Sequence, residues 1–150
     1  MFEIIHGDLL CASADYICHQ VNCRDVMGAG VAKALYTKWP EVKEEYHRFC
    51  RQVGDPHKLL GQIQMVRAAA ANKTIVNIFG QLNYGRADVT YTDYRALQSA
   101  FIKLNQLCVG KHVAFPYGFG CGLAGGDWII VESLMLRYLC DCNVTIYFKE

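Results

Sequence analysis

Apolar residues recur along this chain with two different periods, and the two alternate. Phe2 to Ile5 is a short apolar run closed by His6-Gly7-Asp8, which predicts a strand and a turn. Asp15 to Val21 leans towards β structure. Ala29 to Tyr36 changes to helical spacing through Val31, Ala34 and Leu35 and stops before Trp39-Pro40. Proline suits a first helical position, so a second helix is expected from Glu41 through about Arg51, with Val42, Tyr46 and Phe49 on one face. Gly54-Asp55-Pro56 breaks it.

Gly61 to Arg67 and Lys73 to Phe79 read as two strands joined by a turn at Ala71-Asn72-Lys73. A polar, tyrosine-rich loop from Gly80 to Thr92 follows and carries Asn83-Tyr84-Gly85-Arg86. Asp93 to Leu107 is strongly amphipathic, with Thr92 or Asp93 as its cap. A strand around Val113, a helix from Trp128 to Leu139 and a last strand from Asn143 to Phe148 complete the pattern. About six strands alternating with four helices predict an α/β chain, its central sheet covered on both faces and residues 1–150 forming one domain.

Two glycine-rich loops interrupt this alternation at equivalent places. Each leads from a strand-like run into a helix-like one: Asp25-Val-Met-Gly-Ala-Gly-Val-Ala32, and the stretch between Phe115 and Trp128 with its five glycines. Such turns expose backbone N–H groups at the positive end of a helix, which suits phosphate. In an open α/β sheet they lie outside the carboxyl ends of the strands, where ligands bind. Two in one short chain suggest a ligand with two adjacent phosphates; the bland alternative is a pair of structural turns.

The second loop contains Gly120-Cys-Gly122-Leu-Ala-Gly125, a literal G-x-G-x-x-G. A dinucleotide fingerprint should open a long βαβ unit with an acid about 20 positions on, yet only 25 residues follow Gly125. Neither loop carries the Gly-Lys-Ser/Thr of a nucleoside-triphosphate site, so the usual lysine and magnesium ligand are missing.

Composition narrows the classes further. With 53% hydrophobic residues the chain can bury a proper core. Its formal net charge is +1 with no basic run, which disfavours nucleic-acid binding by counterion release. No apolar stretch approaches the roughly 20 residues of a membrane span. The start, Met-Phe-Glu-Ile-Ile-His, lacks a signal-peptide layout, so a cytoplasmic location is expected. Eight cysteines lack the paired spacing of zinc sites and are expected to act as reduced, mostly buried thiols, with no metal and no cofactor.

The chain resembles a macrodomain, the ADP-ribose-binding module, from end to end. The matching pieces are Gly7-Asp8-Leu9, Asn22 with Met27-Gly-Ala-Gly-Val-Ala32, Phe119-Gly-Cys-Gly-Leu-Ala-Gly-Gly-Asp-Trp128, and Val144-Thr-Ile-Tyr147. The resemblance implies a three-layer α/β/α fold around a mixed sheet. It implies that Asp8 hydrogen-bonds an adenine, helped by the Leu9 N–H, with Tyr147 packed near the ring. Gly28, Ala29, Gly30 and Val31 would clasp a diphosphate together with Phe119, Gly120, Cys121, Gly122, Leu123 and Ala124. Asn22 would meet the distal ribose.

For catalysis the resemblance splits. The hydrolases with a Gly-Gly-Gly-Val-Asp loop place an acid after the valine, whereas Ala32 follows Val31 here. The branch reading Gly-Cys-Gly-Leu-Asp keeps an acid where Ala124 stands, and it uses a lysine after the fourth strand that Ile78 to Tyr84 does not contain. The chain is also similar to small ADP-ribose 1″-phosphate phosphatases in pairing a histidine with Asn-Cys, as His19-Gln-Val-Asn22-Cys23 does. A histidine exchanges protons near neutral pH, as acid–base work on a phosphate ester requires. The competing and plainer reading is a histidine satisfied at a strand end. The catalytic candidates are therefore His19, Asn22 and Asp25. Asp127 reads as a helix cap, and Cys121 as a thiol at a helix start where a thiolate would be favoured, although backbone contact with the ligand adequately explains its position. Three functions remain open: removal of an ADP-ribosyl group from protein, ADP-ribose 1″-phosphate hydrolysis, and non-catalytic reading of ADP-ribose, poly(ADP-ribose) or RNA.

Overall fold

The computed structural model describes residues 1–149. Six strands form one sheet: β1 (Phe2–His6), β2 (Tyr16–Asn22), β3 (Ile63–Ala68), β4 (Lys73–Gln81), β5 (His112–Pro116) and β6 (Asn143–Phe148). Their spatial order is β1-β6-β5-β2-β4-β3. Every neighbouring pair is parallel except the β3–β4 hairpin, so the sheet is mixed. One consequence governs the rest: the carboxyl ends of β1, β6, β5, β2 and β4 all open on the same edge.

Five helices cover the two faces: α1 (Gly30–Lys38), α2 (Glu41–Val53), α3 (Pro56–Leu59), α4 (Tyr94–Leu107) and α5 (Trp128–Tyr138). The inner strands are apolar on both sides, as a covered parallel sheet requires. On β2 and β4, Ile17, Val21, Ile75 and Phe79 join the core beneath α1 and α2. Their neighbours Cys18, Val76 and Ile78 join the core beneath α4 and α5. The layers are therefore α/β/α.

Local chemistry sets the boundaries. Asp93 accepts from the Ala96 amide at 3.0 Å and Asp127 from the Ile129 amide at 2.9 Å, capping α4 and α5 as their positions predict. Gly54, at φ 79°, ends α2 where the sequence expects a break. The chain then makes a turn of helix that the pattern does not announce: Asp55 accepts from His57, and Pro56 opens the four-residue α3. Four residues are too few to show a period. Asn72 occupies the left-handed region at φ 54° in the tight connection between β3 and β4, a place asparagine tolerates.

Cys18, Cys23, Cys50, Cys108 and Cys142 are buried, and none of the eight thiols is in a disulfide. None of the helices is long and apolar enough to cross a membrane.

Candidate functional site

A continuous cleft runs along the carboxyl edge of the sheet. At one end, Asp8, Leu9 and Tyr147 line a cavity of about 360 Å³ with Gly30, Val31 and Tyr117. Gly30, Val31 and Tyr117 also wall the next cavity, which lies between the two glycine loops and has Gly118, Gly120 and Gly122 on its other side. Leu123, Ala124 and Gln81 carry the cleft into a third cavity of about 520 Å³, where Asn22, Tyr84 and Arg86 stand. These volumes suit a small extended ligand.

The middle of the cleft is rich in hydrogen-bond donors. Gly30, Val31 and Ala32 open α1, so their amides have no intrahelical partner and lie at the positive end of the helix. Across the cleft the amides of Gly120, Gly122 and Leu123 make no hydrogen bond among the described residues. Gly30 (φ 60°) and Gly120 (φ 73°) supply the backbone conformations that aim these loops. A Cβ on Gly120 would also stand 2.9 Å from Gln20 Oε1, so this glycine permits close approach as well.

At the first end Asp8 caps a single 3-10 turn, accepting from the Leu10 amide at 3.0 Å, and its other oxygen meets Lys149 Nζ at 3.0 Å. The Leu10 amide, followed by Lys149, holds its carboxyl below the usual range. The Leu9 amide beside it makes no hydrogen bond among the described residues. A carboxylate next to a free amide presents an acceptor and a donor together. Tyr147 lies against Gly7 in the same wall.

His19 forms part of the floor between the loops and is 1% exposed. Its Nε2 lies 2.5 Å from Asn77 Oδ1, while Nδ1 is buried without a partner. Burial lowers its pKa to about 4 against the smaller opposing effect of Asn77. Burial thus favours a neutral ring at pH 7 and opposes the near-neutral proton exchange expected from its residue type.

Asn22 lines the third cavity, but its side chain is occupied by the loop that follows. Oδ1 accepts from the Arg24 amide and from the Tyr46 hydroxyl, each at 2.9 Å, and Nδ2 donates to the Val26 carbonyl at 2.8 Å. Asp25 points elsewhere: its carboxylate meets His47 Nδ1 at 2.5 Å and Arg51 Nε at 3.4 Å, both on α2. It does not line the cleft.

Cys121 corrects one expectation. It sits in the turn, well before α5 begins at Trp128, and its thiol donates to the Phe119 carbonyl at 3.3 Å. Burial, and then Asp127, raise its pKa to about 11, so no thiolate is favoured there. Ala124, where one branch keeps an acid, is buried, and its carbonyl accepts from the Tyr91 and Thr92 amides. Among the described residues no three His, Cys, Asp or Glu side chains converge as a metal would require.

Residues that motif reading passes over also build the cleft. Gln20 Nε2 donates to Gln81 Oε1 at 2.9 Å and to Thr92 Oγ1 at 3.0 Å, joining β2 to the end of β4, which runs two residues past the expected Phe79, and to the loop that follows it. Arg24 Nε donates to Asn83 Oδ1 at 2.7 Å and holds that loop from the other side. The available signal was the run His19-Gln20-Val21-Asn22: polar residues at the end of an otherwise apolar central strand.

Residues 18–135 match the model of the Macro domain. The chain belongs to the macrodomain family. It is 35% identical to an ADP-ribose 1″-phosphate phosphatase of Scheffersomyces stipitis over 174 aligned residues, covering 97% of this chain and 99% of that protein. A DNA ADP-ribosyl glycohydrolase of Mycobacterium tuberculosis is 28% identical over 94% of this chain, which spans only 40% of that relative's length. The structure of Thermosipho africanus DarTG in complex with ADP-ribose superposes with a TM-score of 0.80 at 20% identity, covering 97% of this chain and 40% of that one. That likeness establishes a shared fold. The macrodomain architecture anticipated from Gly7-Asp8-Leu9 and the two glycine loops is thus the one observed.

Proposed function

We propose that this macrodomain binds ADP-ribose, free or as part of a larger molecule, along the cleft. Asp8 and the Leu9 amide take the adenine edge, with Tyr147 beside it. The Gly28–Val31 and Phe119–Leu123 loops hold the diphosphate, and the distal ribose enters the cavity at Asn22. The observation that carries this reading is the pair of facing glycine loops, whose free amides sit between an acceptor–donor pair at one end and a roomy cavity at the other. Amides and a helix terminus bind a diphosphate without a basic surface, which accords with a net charge of +1. Calorimetry with ADP-ribose tests it: saturable heat at micromolar concentrations is expected, and no heat at millimolar ligand rejects it.

A second reading adds hydrolysis of an ADP-ribose derivative. Two observations favour the 1″-phosphate monoester over an ADP-ribosylated protein. The Scheffersomyces stipitis phosphatase relative matches along its whole length, and Arg86 lines the distal cavity with no hydrogen-bond or ion-pair partner among the described residues. A substrate panel separates the arms: ADP-ribose 1″-phosphate, an ADP-ribosylated protein and an ADP-ribosylated DNA, each scored for released ADP-ribose. Release from the phosphate alone supports this reading, release from protein or DNA alone replaces it, and no release leaves a binding module.

A further inference from the structure

A row of hydrogen-bonded polar groups across the sheet determines which ring nitrogen of His19 carries the hydrogen. His19, Asn77 and Gln64 sit side by side in register across β2, β4 and β3. The row ends on the main-chain carbonyl of Glu45 in α2, which accepts from Gln64 Nε2 at 2.8 Å. A carbonyl can only accept, so the amide nitrogen of Gln64 must face it and Gln64 Oε1 must face Asn77. Asn77 therefore donates from Nδ2, at 3.0 Å. Its remaining atom, Oδ1, is an acceptor, so His19 Nε2 must be the N–H that meets it. A neutral imidazole protonated at Nε2 carries a lone pair at Nδ1.

That lone pair is buried without a partner on a residue that lines the floor between the glycine loops; Gln20 Oε1, on the adjacent residue of the same cavity, is a second unsatisfied acceptor. The surrounding walls present free amide N–H groups, which are donors. A phosphate oxygen suits those amides and is repelled by a lone pair. A hydroxyl suits the reverse.

We infer that His19 Nδ1 is a fixed hydrogen-bond acceptor that takes an O–H donor at the base of the cleft, either a ribose hydroxyl of the bound ligand or an ordered water. His19 is then a ligand-positioning residue. The ligand-hydroxyl form rests on the ADP-ribose reading; the tautomer does not.

The test is nitrogen NMR of the histidine ring in the intact protein, recorded without and with saturating ADP-ribose, with binding followed separately by calorimetry. The free protein should show a pyrrole-type Nε2 and an unprotonated, pyridine-type Nδ1. The opposite tautomer, or a charged ring at pH 7, overturns the inference whatever the ligand does. If a ribose hydroxyl is the donor, ADP-ribose should shift the Nδ1 signal upfield, and one of the singly deoxygenated ribose analogues should fail to do so. If water is the donor, Nδ1 should already be shifted in the free protein and stay unchanged on binding. An Nδ1 signal at the position of an unbonded lone pair in both states overturns it. Binding heat without any Nδ1 hydrogen bond defeats this inference alone, whereas absence of binding heat defeats the ADP-ribose reading and leaves the tautomer result standing.

Two variants separate positioning from packing. His19→Gln can keep the donor to Asn77 and lose the acceptor at Nδ1; His19→Asn can do the opposite. An affinity loss of roughly tenfold in the Gln variant, with partial rescue in the Asn variant, is expected for a direct ligand hydroxyl. Equal losses in both, with the NMR signal of an unbonded Nδ1, mark a purely structural histidine.

Discussion

Thr92 Oγ1 donates to the Gly120 carbonyl at 2.6 Å, and the same oxygen accepts from Gln20 Nε2 at 3.0 Å. One hydroxyl thus joins three segments: the end of β2, the loop after β4 and the second glycine loop. Thr92 is 5% exposed, so losing its hydroxyl leaves one Gln20 amide hydrogen without a partner and takes one of two donors from the Gly120 carbonyl, which keeps the Gly126 amide at 2.9 Å. Thr92→Val keeps the shape and is expected to destabilise the fold by about 1–3 kcal/mol, with Thr92→Ser close to wild type. Thermal unfolding checks this. An unchanged melting temperature in the valine variant would show that water replaces the hydroxyl.

Asp8 is expected to contribute to binding more than to stability. Its cap serves a single 3-10 turn, and Lys149 meets its exposed side. Asp8→Ala should weaken ADP-ribose by about 1.5–3 kcal/mol, the range for a hydrogen bond to a charged group. The melting temperature should fall by only a few degrees, through loss of the cap. Calorimetry beside thermal unfolding separates the two, and an affinity within twofold of wild type would remove Asp8 from the site.

The loops that wall this cleft could be read before folding, and the reasons are local. The glycine loops announce themselves because positive φ and close approach demand glycine, as at Gly30 and Gly120. Asp93 and Asp127 are legible as caps because capping acts over two or three residues. What could not be read depends on contacts between distant parts of the chain. Asp25 looks available in the first loop, yet His47 and Arg51 claim its carboxylate from α2. His19 invites acid–base chemistry by its type, but the register that sets it beside Asn77 and Gln64 exists only in the assembled sheet. Cys121 stands near a helix start in the sequence, yet the loop turns its thiol onto the Phe119 carbonyl, and the helix opens only at Trp128.

The buried, neutral His19 makes stability depend on pH in a stated direction. Its folded pKa is about 4 against 6.5 unperturbed, so between these values the unfolded chain binds the proton and the folded one does not. The contribution is fully present above about pH 6.5 and is lost as the pH falls towards 4. At its largest it amounts to roughly 3 kcal/mol. Urea unfolding at pH 8 and pH 5 should show wild type losing more stability than His19→Gln, which has no proton to gain. Equal losses would mean that the imidazole titrates normally.

Arg86 should distinguish ligands by their far end. It lines the distal cavity with Asn22, whereas the proposed adenine and diphosphate contacts belong to the other end and the middle of the cleft. Removing it therefore should leave ADP-ribose affinity within about threefold of wild type. A terminal phosphate would reach the cavity carrying about two negative charges and would lose a charge-assisted partner, a cost of about 1.5–3 kcal/mol. Calorimetry of Arg86→Ala with ADP-ribose and with ADP-ribose 1″-phosphate gives the cycle. A loss confined to the phosphate ester, diminished at high salt, is expected. Equal losses for the two ligands would place the arginine on the shared diphosphate instead, and no loss for either would put the 1″-phosphate outside this cavity.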